Sequence, residues 1–455
     1  MRRSLRFALL VLVVTLGIAL APRDAVAHPG DRYTISLITM SPGDPIFFRF
    51  GHNAILVNDA RRRTHRVYNW GTFSFNEPGL VEKFLKGRLS YWLSVQPLGP
   101  TLAHYDSEHR WLVEQELNLT GDQKLELVRK IEENARPENR QYRYDYYRDN
   151  CSTRVRDALD SVVDGQLKAI SQGPATYTYR EQTSRLVADV WWGHVFLNLA
   201  MGSFIDQPVT EWDEMFVPGK VQQMVRKVET VDESGNKVPL VKAERELVKA
   251  PDRKPPPDAP PNRTLPLLLI GLLVGTLFGW TGFRLLTYPR ASNAKAPLGR
   301  RLALGLPLGA WTTLTGFLGF LFLFFWTMTD HQVAYHNENL LQTSPLTAAF
   351  PVLAIGLMLD RRWARNAFKW LAYVVAGMSV LGLVLKVLPW FNQVNGMIIA
   401  FLMPMWIGLA AGPFLADRRA KASKSGTSEK KPDSTEPSKS SEEDDAAKPD
   451  ESEPS

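Results

Sequence analysis

Cys151 is the only cysteine in a chain of 455 residues, and it stands in the stretch YRYDYYRDNCSTRVRDALDSVV, residues 142–163. A thiol becomes a nucleophile when one group can take its proton and others favour its anion. Tyr142, Tyr144 and Tyr146 alternate with polar residues, as one face of a strand does. Val155, Ala158, Leu159 and Val162 then fall at helical spacing. Asp149 and Asn150 are helix N-cap types. Cys151 is therefore expected at the start of a helix that follows a strand, where free backbone N–H groups favour thiolate and lower the thiol pKa. The ordinary role of a lone cysteine is that of a small buried apolar side chain; the polar flanks, DNCST, argue against it here.

A thiol nucleophile needs a base, and a base needs an orienting partner. His52, within FFRFGHNAILV, is the candidate base; His65, His104, His109 and His194 compete. Gly51 before it would let a helix approach the strand closely. His65 falls near the tip of the hairpin that strands 47–57 and 64–70 are expected to form. If that hairpin turns near residue 61, Asn69 or Trp70 lies opposite His52, which makes Asn69 the candidate orienter; its alternative role is that of a strand-end polar residue. Asn150 either caps the helix or stabilises an oxyanion. Arg180 either meets an anionic headgroup or forms an internal salt bridge. No His/Cys/Asp/Glu spacing resembles a metal site, and neither a glycine-rich phosphate loop nor a G-x-S-x-G elbow is present.

These residues belong to a segment, 28–250, that reads as one α+β domain ending in a hairpin with its tip at 233–236. Arg2, Arg3 and Arg6, an apolar stretch at 7–20 and Ala25-Val26-Ala27 have the order of a secretory signal, residues 1–27. Export would place Cys151 in an oxidising compartment, where one cysteine cannot form an internal disulfide. A proline-rich linker, 251–264, precedes five apolar spans at 265–286, 302–328, 341–359, 370–388 and 396–415. Lys and Arg cluster after spans one, three and five (Arg300 and Arg301, Arg361 and Arg362, Arg418 and Arg419), which places the N-terminal domain outside and the C-terminus in the cytoplasm. The net charge of +7 is thus explained by membrane-flanking loops, and no nucleic-acid partner is implied. The outer loop 329–345 carries His331 and His336 at the bilayer surface, where they either solvate a loop or meet lipid headgroups. Residues 417–455 are too polar to bury a core and are expected to be disordered.

FGHNAILV, VYNWGTFSF, FLKGRLSYWLS, YRYDYYRDNCSTRVRDAL, TYR and EWDEMFVP, in that order, resemble the periplasmic domain of the Lnb-type lipoprotein N-acyltransferases, and HNENLLQTSPL with its spans resembles their membrane domain. The resemblance implies a circularly permuted, NlpC-type papain-like fold, with Cys151 as nucleophile and His52 as base. It implies an inner-membrane enzyme without a cofactor. The acyl donor would be a membrane phospholipid and the acceptor the N-terminal amine of diacylglyceryl-cysteine lipoproteins. A cell-wall cysteine peptidase or amidase and a non-enzymatic membrane scaffold remain the alternatives.

Overall fold

The computed structural model describes residues 28–287 and 298–428. The expected signal at 1–27 lies outside the described residues. Alternating apolar positions build a seven-stranded sheet from β1 (Tyr33–Met40), β2 (His52–Asp59), β3 (Thr64–Thr72), β4 (Ser90–Pro97), β5 (Leu112–Leu117), β6 (Gln141–Arg143) and β9 (Val241–Val248), in the order β6-β4-β3-β2-β1-β5-β9. The neighbours pair antiparallel throughout. Two short strands, β7 (Glu229–Val231) and β8 (Lys237–Pro239), form a separate hairpin.

Period-2 alternation gives the sheet two apolar faces, and both are covered. Ile35, Leu37, Ile55, Val57 and Tyr68 pack against Leu127, Val128 and Ile131 of the helix Gly121–Asn134 and against Val155 and Leu159 of the helix Cys151–Asp160. Ile38, Met40, Ala54, Leu56 and Val67 face the other way, with Tyr105 of the helix Leu98–Ser107. The Gly121–Asn134 helix starts at the expected capping box: Thr120 Oγ1 accepts from Gln123 N–H, and Gln123 Oε1 accepts from Thr120 N–H.

Two expected elements differ, and one strand was not expected. The strand expected over 47–57 begins only at His52, because Ile46–Phe48 is a 3-10 turn and Gly51 takes φ +81. A Cβ at Gly51 would lie 2.8 Å from the Met40 carbonyl oxygen, so this glycine serves the turn and the neighbouring strand rather than the approach of the helix. The hairpin expected over 219–241 begins instead with a helix, Pro218–Val225, which buries Val221 and Val225. Val241–Val248 joins the sheet edge, where Arg245 pairs with Glu114 at 2.7 Å.

Among the described residues, five helical segments beyond the sheet domain are long and apolar enough to cross a membrane: Thr264–Thr287, Arg301–Met328, Glu338–Met358, Arg362–Val387 and Gly396–Ser423. The last helix continues to Ser428, so residues 417–428, expected in a disordered tail, are helical; the remainder of that tail lies outside the described residues. The third segment is broken into 3-10 turns, Glu338–Leu341 and Pro345–Ala349, before the helix Phe350–Met358. Its unwound backbone and polar side chains find partners on neighbouring spans: Gln342 Nε2 donates to the Ser379 carbonyl at 3.0 Å, and Trp406 Nε1 to the Gln342 carbonyl at 2.8 Å. The first and last spans touch through glycine. A Cβ on Gly408 would meet the Gly275 carbonyl oxygen at 2.0 Å. Gly408→Leu is therefore expected to force the two spans apart, at a cost of about 1–3 kcal/mol or more, read as a fall in the thermal midpoint of the detergent-solubilised protein.

The outer loops of the membrane part also complete the sheet domain. The helix Trp191–Ala200 ends with carbonyls that have no partner in their own helix. Asn339 Nδ2 donates to the carbonyls of Asn198 and Leu199, Asn337 Nδ2 to those of Leu199 and Ala200, and Gln393 Nε2 to that of Met201.

Candidate active site

The Cys151 helix starts where it does because of Asn150. Its Oδ1 accepts from the N–H groups of Ser152 (2.8 Å) and Thr153 (2.9 Å), and its Nδ2 donates to the carbonyls of Tyr146 and Phe216, both at 3.0 Å. The side chain is buried and its donors are engaged. Asn150 is thus a cap, and its amide has no N–H left for a substrate oxygen.

Asn53 and Ser152, which the sequence reading passed over, tie this helix start to the sheet. Ser152 Oγ lies 2.8 Å from Asn53 Oδ1 and from the Met215 carbonyl oxygen, and Asn53 Nδ2 donates to Thr39 Oγ1 at 2.9 Å. The available signal was Asn53 itself, a polar residue at a position that alternation assigns to the core face of Ile55 and Val57.

The thiol lies in a gap at the end of the sheet. The β2–β3 ladder runs from Asp59↔Thr64 to Ile55↔Tyr68 and stops. A register break in β3 between Asn69 and Thr72, with Gly71 at φ +91, carries the strand away towards β4. On one side of the opening the backbone N–H of Asn53 points at the sulfur, together with those of Ser152 and Cys151 itself. On the other side is Gly71, where a Cβ would stand 3.5 Å from Cys151 Cβ. Gly71, not Gly51, is the glycine beside the helix start; a Cβ there would sit at ordinary van der Waals distance, so its φ of +91, and not the approach of the helix, is what calls for glycine.

His52 is the residue before Asn53, at the start of β2, where the ladder with β3 has stopped. Its Nε2 faces Asn69 Oδ1 at 3.3 Å. The Asn69 amide is turned by its own Nδ2, which donates to the Val67 carbonyl at 3.4 Å. A carbonyl oxygen only accepts, so Nε2 carries the hydrogen and Nδ1 is left as the basic nitrogen. Burial, then the Arg110 guanidinium, hold the imidazolium down to a pKa of about 4, with the Asn69 bond opposing. Burial pushes the Cys151 thiol up to about 11, against the pull of the three N–H groups. The lowered thiol expected at a helix start is thus reversed by desolvation. At neutral pH the resting pair is thiol and imidazole, not thiolate and imidazolium.

Two measurable consequences follow from these shifts. Alkylation of Cys151 by iodoacetamide is expected to rise steadily from pH 7 towards pH 10, about tenfold per unit, with no plateau near neutrality; a plateau would show a preformed ion pair. His194, also buried, is likewise held down to about 4 by burial and then by Arg263. Both histidines take a proton more readily when unfolded, so the stability they allow is complete above about pH 6.5 and is lost as pH falls towards about 4. The thermal midpoint is expected to drop between pH 7 and pH 5, and to drop less in His52→Gln.

Aromatic side chains line the thiol. Tyr144 Cε2 and Tyr142 Oη lie 3.6 and 3.9 Å from the point that a Gly71 Cβ would occupy beside Cys151. Burial and then the nearby sulfur raise the pKa of both phenols, so both stay protonated as donors. The buried Tyr142 hydroxyl has no hydrogen-bond partner within the protein.

Other candidates stand elsewhere. Arg180 is 2 % exposed and spends its guanidinium on Asp206 and on the carbonyls of Asn198, Met201 and Gly202. It has no face for an external headgroup. His336 is exposed in the outer loop at φ +54, its ring 5.3 Å from that of Trp326. His65 bonds Asn58 Oδ1 at the hairpin, and His104 lies 3.5 Å from Glu108 on the surface. Among the described residues, no group of three or more His, Cys, Asp or Glu could hold a metal ion.

Residues 26–185 match the family model of the Lnb N-terminal periplasmic domain, a stretch that includes Cys151, His52 and Asn69 and ends before the membrane spans. No curated protein and no solved structure matched the chain.

Proposed function

We propose that this multi-pass membrane protein, whose residues 26–185 form an Lnb N-terminal periplasmic domain, is a thiol-dependent lipoprotein N-acyltransferase of the bacterial inner membrane. The observation that carries this reading is the opening where the β2–β3 ladder stops: His52 faces Asn69 there, and the backbone N–H of Asn53, next to His52 in the chain, is directed at the Cys151 thiol. The relation of helix-borne thiol to strand-borne imidazole is the one a permuted papain-like fold would use. Outer loops of the spans bind the same domain, which keeps the site at the outer leaflet and raises the effective concentration of lipid.

Because the resting thiol is neutral, proton transfer is coupled to attack. His52 Nδ1 takes the proton as the sulfur adds to an ester carbonyl of a phospholipid. The N–H groups of Asn53 and Cys151, which are directed at the sulfur, donate to the developing oxyanion. Collapse breaks the acyl C–O bond, His52 returns the proton to the glycerol oxygen, and lysophospholipid leaves an S-acyl Cys151. The α-amine of a diacylglyceryl-cysteine lipoprotein then attacks the thioester. It loses its proton through His52 to the departing sulfur, giving an amide and restoring the thiol. This sequence needs no cofactor.

The test is mass spectrometry of the purified protein with phospholipid and no acceptor. The expected result is a gain of one acyl chain on Cys151, removed by hydroxylamine. Absence of the adduct, with cleavage of peptidoglycan stem peptides, would replace this reading with a cysteine peptidase. Absence of both, with Cys151→Ala indistinguishable from wild type in cells, would leave a membrane scaffold.

A further inference from the structure

An unbroken row of aromatic rings leads from the second span to the thiol. Phe325, inside that span, lies 5.4 Å from His331 in the loop that follows. His331 is held by Nε2 against the Phe84 carbonyl at 2.7 Å and stacks on Tyr146 at 6.3 Å. Tyr146 meets Tyr144 edge-on at 6.0 Å, and Tyr144 stacks on Tyr91 at 4.2 Å. Tyr144 is the ring that borders Gly71 and Cys151.

This row is not ordinary core. Tyr91, Tyr144 and Tyr146 belong to none of the packed apolar clusters, and Tyr146 is 41 % exposed at the outer end. The chemistry changes along its length. At the mouth, beside His331, the Arg88 and Arg143 guanidiniums share one carboxylate, Asp330, which leaves a net positive charge on exposed side chains. At the inner end stands the Tyr142 hydroxyl, buried and without a partner. Positive charge outside, aromatic faces between and a buried donor inside fit an amphiphile with an anionic headgroup, one apolar chain and a carbonyl near the sulfur.

We infer that this aromatic row is the binding site of one acyl chain of the donor phospholipid, with the phosphate at Arg88 and Arg143. The inference rests on the acyltransferase reading for the choice of ligand, but its test does not use the reaction. Full-length Cys151→Ala protein, which cannot form the thioester, is placed in bilayer nanodiscs containing a phospholipid with a diazirine in its acyl chain. It is then irradiated and the adducts are mapped. The expected result is labelling of Tyr144, Tyr146 and Tyr91 several-fold above Val231, an exposed apolar side chain on the β7–β8 hairpin. Arg88→Gln is expected to lower the ratio of row adducts to adducts on lipid-facing span residues such as Leu269 and Leu273, because it removes one of the two guanidiniums. Labelling confined to the spans would overturn the inference, even if the wild-type protein forms the thioester. Row labelling without any thioester in the wild type would uphold the lipid site and reject the transferase.

Discussion

Cys151→Ala is expected to abolish acyl transfer, and His52→Gln to lower the rate of thioester formation by about 10²–10⁴-fold. The two effects have different origins and different signatures. Alanine removes the atom that bonds to the acyl group, so no adduct forms at any pH. Glutamine leaves the thiol but removes the proposed base, and the rate then follows the thiolate fraction of a group held near pKa 11. Raising the pH is therefore expected to rescue His52→Gln steadily and never to rescue Cys151→Ala. The double variant should be no worse than Cys151→Ala alone, since residues that act as a unit do not lose activity additively. Acylation followed by mass spectrometry between pH 6.5 and 9.5 reads all three. An adduct in His52→Gln as fast as in wild type at neutral pH would remove His52 from the mechanism. Asn69→Ala is a milder case: it frees Nε2 of its partner and is expected to slow the reaction without changing its pH dependence in kind.

The second large effect concerns stability. Arg180 and Asp206 are 2 % and 1 % exposed in their side chains, joined by two hydrogen bonds at 2.6 and 3.0 Å. The same guanidinium also satisfies the carbonyls of Met201 and Gly202 at 3.0 and 2.7 Å. Those carbonyls end the Trp191–Ala200 helix, the element that the membrane loops cap. Arg180→Met would take the guanidinium from a buried carboxylate and from the Gly202 carbonyl, while the Met201 carbonyl keeps its bond from Gln393. Breaking one side of a buried pair costs about 3–5 kcal/mol. Burial already lifts the Asp206 carboxyl above its ordinary value despite Arg180, so the orphaned group is expected to take up a proton. Adding Asp206→Leu should recover part of the loss by removing that buried group. The readout is the thermal midpoint in detergent, with the single variant well below the double. If Arg180→Met instead kept its midpoint and lost lipid binding, the arginine would be a headgroup ligand after all.

The amino-acid sequence by itself determined the elements and their chemistry. Alternation over 33–40 and 64–72, the Thr120–Gln123 capping box and the 151–160 periodicity are local patterns, set by which residues suit a pleat, a cap or a helix face. The five apolar segments are local too, because bilayer thickness fixes how many apolar residues a span needs. Counting across the hairpin brought Asn69 into the neighbourhood of His52, but the register Asp59↔Thr64 extends to Gly71 opposite His52, so the His52–Asn69 contact depends on the end of the ladder. What tertiary structure alone decided is everything that depends on residues far apart. The β3 break that opens the gap, Gly71 rather than Gly51 as the glycine beside the helix start, and the Asn53–Ser152 tie all involve partners that no local period links. So does the addition of β9 to the sheet edge. The thiol pKa shows the division most clearly. A helix start lowers it and is legible from Asn150 onward, but burial raises it, and burial is the sum of every side chain that closes over the sulfur. Desolvation won at Cys151 because a folded chain, unlike a sequence, excludes water from a particular place.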